Sequence, residues 1–392
     1  MPTRRFVAIG LTTLAAALLT ACNTEWGPGD NTGGGDGNNG GSKYPTLDGT
    51  RPQSFAQGSI DGRPANTLAN FDRAVAANAD YIAVDLVMSK DGALVALASP
   101  DITQSTNVAS RPEFFARKTT KLIDGVSSVG WFASDFTLAE LQTLRATLPT
   151  SSTVAGDFRV LSLAQVLDYQ SQKQGVALYL WTHNPTYHNK LKLNMEDPLV
   201  TALNMAGLNL ASSPVIVRSL EVAHLQALRN KTKVRLVQMI DGNALATDGS
   251  NASSAPHIQP YDFTDAGVKT TYADMVTTSG LAQIQTYANG IAPWKPFVIP
   301  AQYLDKNGDG QPDDLNNDGL LDYRDRQMMT PTSLVTNAHA AKLFVHPWLF
   351  SNDPSTLASD FKGSPAAEYQ LFYQVGVDGV FSDSPADANR AR

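Results

Sequence analysis

The sequence predicts an α/β fold, a (β/α)8 TIM barrel carrying one acidic insertion between strands 6 and 7. Three observations lead there. From residue 53 onward, short apolar β-rich runs alternate with segments of helical period. Several of those runs are apolar almost throughout, as parallel strands covered on both faces require. Eight strand–helix units also fit the roughly 340 residues of the body, a length such a barrel commonly takes. Alternation alone does not distinguish a closed barrel from a doubly wound open sheet.

The strand candidates begin with "SFAQ" (54–57), "YIAVDLVM" (81–88), "VALYLWT" (176–182) and "VIVRSL" (215–220). They continue with "VRLVQMI" (234–240), "GIAPW" (290–294), "KLFVHPW" (342–348) and "GVFSD" (379–383). Helical period runs through "TLANFDRAVAAN" (67–78), "SLAQVLDYQSQ" (162–172) and "SLEVAHLQALRN" (219–230). The interval 99–160 reads as an elaboration after strand 2, with "TLAELQTLRA" (137–146) as an amphipathic helix. No composition break marks a second domain within 43–392.

Residues 1–21 read as an export signal: Arg4 and Arg5 precede an apolar run from Phe6 to Leu19 that is too short to span a bilayer. The run ends in "LTAC" (19–22), which resembles the lipobox of bacterial lipoproteins and makes Cys22 the expected lipidation site. Cys22 is the single cysteine, so no internal disulfide forms. Residues 22–42 then form a lipidated cysteine and a Gly/Asn-rich tether, whose sixteen low-apolarity residues reach roughly 20 Å in r.m.s. length. The expected location is the bacterial cell envelope, held to the membrane by lipid. Asn23 after the cysteine favours the outer membrane by resemblance to sorting signals. The net charge of −7 offers no basic stripe, which argues against nucleic acid as a partner.

Along nearly the whole body the residues resemble the glycerophosphodiester phosphodiesterase family. The matching pieces come in family order: "GSIDGRPANTLANF", "DYIAVDLVMSKDGALVAL", "DFTLAELQTLR", "LYLWTHNPTYH", "RLVQMID", "GIAPW", "LFVHPW" and "GVDGVFSDSP". The resemblance implies a (β/α)8 barrel that splits glycerophosphodiesters into an alcohol and glycerol 3-phosphate. It implies two histidines as acid and base, an arginine and a lysine on phosphate, and a divalent cation on carboxylates.

The functional positions depart from that pattern. His-Arg-Gly becomes Ala56, Gln57 and Gly58, and Pro-Glu-Asn-Thr becomes Pro64, Ala65, Asn66 and Thr67. Glu-x-Asp becomes Ala83, Val84 and Asp85; the second histidine is Ala98; the metal-ligand glutamate is Trp181 and the lysine two positions on is His183. A positioned acid or base contributes roughly 10²–10⁴-fold, and here both are methyl groups. Asp85 alone offers a hard cation one ligand arm. No catalytic residue is therefore assigned. The expected function is a non-hydrolytic module that binds a glycerophosphodiester or another small polar ligand. Its rivals are an active phosphodiesterase using substitute groups and a purely structural envelope protein.

Residues 305–322 are a tandem nine-residue repeat, "DKNGDGQPD" then "DLNNDGLLD". Each copy places oxygen ligands at positions 1, 3, 5 and 9 with glycine at 6, the pattern of a calcium loop. One set is Asp305, Asn307, Asp309 and Asp313; the other is Asp314, Asn316, Asp318 and Asp322, with Asp325 beyond. A solvated acidic loop is the plainer reading; Ca2+ is favoured because so many carboxylates repel one another without a cation. The insertion is expected to be stapled by the ion on the functional face of the barrel.

His183, His188 and His346 sit near strand ends and, with Asp85, raise the idea of a replacement metal site. Rim or hydrogen-bonded histidines are the stronger expectation. Asp383 is expected to orient its neighbours, and Trp294 and Trp348 to line the mouth or pack in the core. The glycan-acceptor pattern "NKT" (230–232) carries no weight beside a bacterial lipobox.

Overall fold

Parallel strands cannot be joined by tight turns, so each crossover must carry a covering element. The computed structural model, which describes residues 42–148, 152–173 and 175–392, meets that demand at each of the seven crossovers and adds a helix after the last strand. Among the described residues the barrel strands are β1 (Gln53–Ala56), β2 (Tyr81–Met88), β3 (Ala177–Thr182) and β4 (Val215–Ser219). They continue with β5 (Arg235–Ile240), β6 (Gly290–Pro293), β7 (Phe344–Val345) and β8 (Gly379–Ser382). The covering helices are α1 (Leu68–Ala76), α2 (Leu163–Gln172), α3 (Glu196–Met205) and α4 (Val222–Arg229). Then follow α5 (Thr278–Ile284), α6 (Leu334–Ala340), α7 (Pro365–Val375) and α8 (Pro385–Ala391).

Every sequential neighbour from β1 to β7 pairs in parallel, and β8 pairs with β1. The β7–β8 seam is closed by Asp378 N–H to the Val345 carbonyl (2.9 Å) and Phe381 N–H to the Pro347 carbonyl (3.1 Å). The ring is closed, which removes the open-sheet alternative.

Alternation along the strands explains the unbroken apolar runs. Ile82, Val84, Leu86, Leu178, Leu180, Val215 and Val217 face the helices, whereas Tyr81, Tyr179 and Ile216 fill the barrel. Phe55, Tyr81, Tyr179 and Phe381 interlock there with ring centroids 4.7–6.0 Å apart. Gly379 makes room for that plug: a Cβ there would lie 2.5 Å from the Phe55 ring. The interior is packed, and barrels of this class carry their sites at the mouth formed by the strands' C-terminal ends.

The elaboration after β2 has its own small core, with Leu97, Ile102, Phe114, Trp131, Phe136, Leu141 and Leu144. It carries the antiparallel hairpin Thr119–Ile123 with Val126–Gly130. The helix predicted over 137–146 is present only as Leu138–Leu141, started by a Thr137/Glu140 capping box. Beyond it the bridges Thr106–Ala146 and Arg145–Arg159 draw the chain into extended pairing, so tertiary contacts override the helical period. The predicted strand 342–348 is likewise reduced to two residues: Lys342 has φ +60° on one side, and Pro347 lacks an N–H on the other.

The acidic insertion lies between β6 and β7, as expected. The ribbon Ala301–Tyr303 with Arg326–Met328 closes its base. Arg326 fastens it, stacking 3.9 Å from the Tyr303 ring and donating to the carbonyls of Leu245, Ala246 and Ala301.

Candidate functional site

Strand register brings three residues to one level at the mouth. Asp85 on β2 is opposite Trp181 on β3, and Trp181 is opposite Arg218 on β4. Asp85 is already engaged. Asn66, held at φ +61° in the turn before α1, donates through Nδ2 to Asp85 Oδ2 (2.9 Å) and accepts the Asp85 N–H through Oδ1 (2.9 Å). His183 Nε2 lies 3.0 Å from Asp85 Oδ1. Burial pushes the Asp85 carboxyl up, but hydrogen bonds from His183 and Asn66 and the charge of Arg218 outweigh it, and the net direction is down. Asp85 is therefore ionised at neutral pH.

The divalent cation implied by the resemblance does not fit this set. Asp85 is the single carboxylate there, each of its oxygens already in a hydrogen bond, Ala83 brings no ligand, and the Trp181 indole stacks on His183 at 3.8 Å where a second carboxylate would be needed. Among the described residues no three His, Cys, Asp or Glu side chains converge as a metal group. His188 is buried behind β2, accepting the Met88 N–H on Nε2 (3.4 Å). His346 is inside the barrel, 3.0 Å from the Tyr179 hydroxyl through Nδ1. Burial lowers both histidines to about 3, so both are neutral. They do not join Asp85.

Sequence reasoning passed over Arg218. It is fully buried, and among the described residues none of Nε, Nη1 and Nη2 has a hydrogen-bond partner. Its guanidinium lies 4.0 Å from the Phe381 ring centroid, 4.7 Å from Trp181 and 5.4 Å from Tyr179. Burial lowers its pKa to about 10 against the opposing charge of Asp85, so it remains a cation at neutral pH. A buried, unpaired charge costs on the order of several kcal/mol. The signal in the sequence was a lone arginine at an inward position of "VIVRSL".

Three cavities surround this level. The largest, about 520 Å³, is walled by Gln57, Trp181, Trp294, Trp348, Phe381 and Asp383. Trp294 and Trp348 thus line the mouth, and Asp383 orients its neighbours as expected, accepting from the Ser351 hydroxyl (2.6 Å) and the Asn352 N–H (3.1 Å). A second, about 270 Å³, is lined by Ala65, Asn66 and Ala98, two of the positions where the resemblance implies longer side chains. Ala56 is packed in the layer facing the helices.

The third cavity, about 240 Å³, has Trp181 and His183 on one side and Asp124, Glu221, Asp241 and His257 around it. Burial is the main cause that raises Asp124 to about 6 and Glu221 to about 8, reinforced by neighbouring carboxylates. Glu221 accepts the Thr186 N–H and hydroxyl (2.9 and 2.6 Å to Oε2).

In the insertion the two repeats adopt one geometry. Asp305 accepts from the N–H groups of Gly308 and Gly310, and Asp314 from those of Asn317 and Gly319, at the same offsets. Those four donors all have positive φ. Asn307, Asp309, Asn316 and Asp318 each accept from the N–H two residues on. Asp313 accepts from Lys306 N–H and Asn307 Nδ2, while Asp318 and Asp322 pair with Arg324. Cys22, the signal 1–21 and the tether up to 41 lie outside the described residues.

The profile of the Glycerophosphoryl diester phosphodiesterase family matches residues 57–387. The Arabidopsis thaliana glycerophosphodiester phosphodiesterase GDPD6 is 28% identical over 355 residues, covering 86% of this chain and 85% of that protein. GDPDL1 of the same plant is 25% identical, and the chain spans 41% of it. Among solved structures, a putative glycerophosphoryl diester phosphodiesterase from Silicibacter pomeroyi superposes with TM-score 0.53 at 16% identity, covering 86% of this chain and 91% of that one. An Oleispira antarctica phosphodiesterase, solved with its product sn-glycerol-3-phosphate, gives 0.52 at 16% identity, covering 87% and 96%. At such identities the structural likeness shows the fold.

Proposed function

The chain belongs to the glycerophosphoryl diester phosphodiesterase family, and from that premise we propose that it binds a phosphodiester at the barrel mouth without hydrolysing it. The observation that carries this reading is the state of Asp85. The carboxylate that the resemblance retains is bonded on both oxygens by Asn66 and His183, with Ala83 and Trp181 in place of further ligands. The 520 Å³ cavity beside it offers aromatic walls and Gln57, the format of a binding pocket.

The test is coupled detection of glycerol 3-phosphate from purified protein with a glycerophosphodiester, alongside calorimetry with the same compound. Binding without product release is expected. Turnover at an enzyme's ordinary rate, roughly 1–10³ s⁻¹, would sink the proposal.

The rival reading, hydrolysis by substitute groups, draws on the Asp85–His183 pair and on Glu221, a carboxyl held protonated near neutral pH beside it. Product release that disappears in both His183→Ala and Glu221→Gln would favour that rival.

Two further parts belong to the proposal. The insertion takes Ca2+ through Asp305, Asn307, Asp309 and Asp313 and through Asp314, Asn316, Asp318 and Asp322; the matching turns of the two copies support this, and the ion staples the loop. Cys22 carries a lipid that holds the barrel at the cell envelope; the lipobox-like "LTAC" supports it.

A further inference from the structure

We propose that Arg218 is the anchor of a closed phosphate pocket on the barrel axis, with Trp181 as its lid. The inference deepens the reading of a phosphodiester ligand and rests on it for the ligand class. Arg218 presents a planar fork of donors, and none of its three nitrogens has an acceptor among the described residues. Asp85 supplies opposing charge but no hydrogen bond to it; its oxygens accept from Asn66 and lie against His183 instead. An apolar side chain would fill the same space among Phe381, Tyr179 and Trp181 without desolvating a cation. Packing therefore does not account for an arginine at this position.

A tetrahedral phosphate oxyanion does account for it. Two oxygens of one phosphate match the two-pronged guanidinium, and the pairing is strongest where water is excluded. The route is also visible. Trp181 and Phe381, the rings nearest the guanidinium, both wall the 520 Å³ mouth cavity, so Arg218 lies one side chain behind it. The Trp181 ring also borders the 240 Å³ cavity and is thus the partition between two spaces. It stacks on His183, and among the described residues its indole N–H makes no hydrogen bond. Turning the ring into either space uncovers the guanidinium. Gln57, in the wall of the larger cavity, then offers an amide to a further phosphate oxygen.

The experiment compares wild type, Trp181→Ala, Arg218→Met, Arg218→Gln and the double variant Trp181→Ala/Arg218→Met. Each is titrated with inorganic phosphate against sodium chloride of equal ionic strength, following melting temperature and tryptophan fluorescence. Phosphate is expected to raise the melting temperature of wild type and to change its fluorescence as Trp181 moves. Trp181→Ala should bind at least about tenfold tighter, because displacing the lid no longer reduces the competent fraction. Both Arg218 variants and the double variant should lose the response. Without phosphate, Arg218→Met should melt no lower than wild type.

A phosphate response that survives in Arg218→Met or Arg218→Gln overturns the proposal. So does absence of any response in Trp181→Ala, and so does an Arg218→Met protein that melts well below wild type, which would make the guanidinium a packing element. Repeating the titration with a glycerophosphodiester separates the two readings. Equal binding by wild type and Arg218→Met keeps the mouth as a ligand site and removes Arg218 from it. Arg218-dependent binding of inorganic phosphate alone keeps the pocket and removes the phosphodiester.

Discussion

Glu221 follows β4, three residues after Arg218, and is 3% exposed. Its folded pKa of about 8 is above the ordinary 4.5, so the native protein holds a proton that the unfolded chain has released. Stability from this group is full below about pH 4.5 and is lost as pH rises through 8. The slope is at most about 1.4 kcal/mol per pH unit. Glu221→Gln should flatten the fall in melting temperature between pH 5 and 8 relative to wild type. An unchanged pH profile in the variant would show that Glu221 is not the group responsible. Asp85 is the opposite case in the same rim: its depressed pKa contributes stability above the unfolded carboxylate value of about 4, lost as pH falls further. One rim thus holds an ionised and a protonated carboxyl: donors from His183 and Asn66 with the Arg218 charge outweigh burial at Asp85, whereas at Glu221 burial and neighbouring carboxylates outweigh the Thr186 donors.

At the scale of elements, the insertion and the elaboration after β2 illustrate different controls. The insertion's fold is local: each repeat turns on its own aspartate and its own positive-φ residues. Calcium should raise the melting temperature by mass action on the folded state, stabilising it by about 2.7 kcal/mol at a hundredfold excess over Kd if that site unfolds with the barrel. Asp309→Ala with Asp318→Ala should abolish the gain; a calcium response equal to wild type in that double variant would place the ion elsewhere. The 137–146 segment is controlled from outside instead. Its capping box starts a helix, and pairing of Arg145 and Ala146 with distant chain ends it after one turn.

For the whole molecule, closure of the barrel and the aromatic plug at its centre fill the interior and leave the candidate site at the C-terminal mouth. Among the described residues no helix is long and apolar enough to cross a membrane. The proposed membrane attachment is through Cys22 in "LTAC". A fatty-acid probe fed to cells should label the wild-type chain and leave Cys22→Ser unlabelled, with the variant released from the membrane fraction. Equal labelling of both chains would rule out lipidation at that cysteine.

Closure of the ring was decided by the β8–β1 pairing, whereas the sequence by itself determined the alternation of strands and helices, the place of the insertion and the family resemblance. Those features are written in local periodicity: strands buried on both faces must be apolar at every position, and the nine-residue repeat is contiguous. Asp85 and Trp181 were singled out by the resemblance to the family. What only the tertiary structure decided is how distant residues meet. Asn66 and His183 close on Asp85 from two different loops. His188 and His346 go behind a strand and into the plug. Arg218, one cation in an apolar strand, acquires meaning only when register sets it beside Trp181 and beneath Phe381 with its donors unmatched. The physical reason is that hydrogen-bond satisfaction and desolvation depend on neighbours brought from far along the chain, whereas burial on two faces leaves its mark on each strand alone.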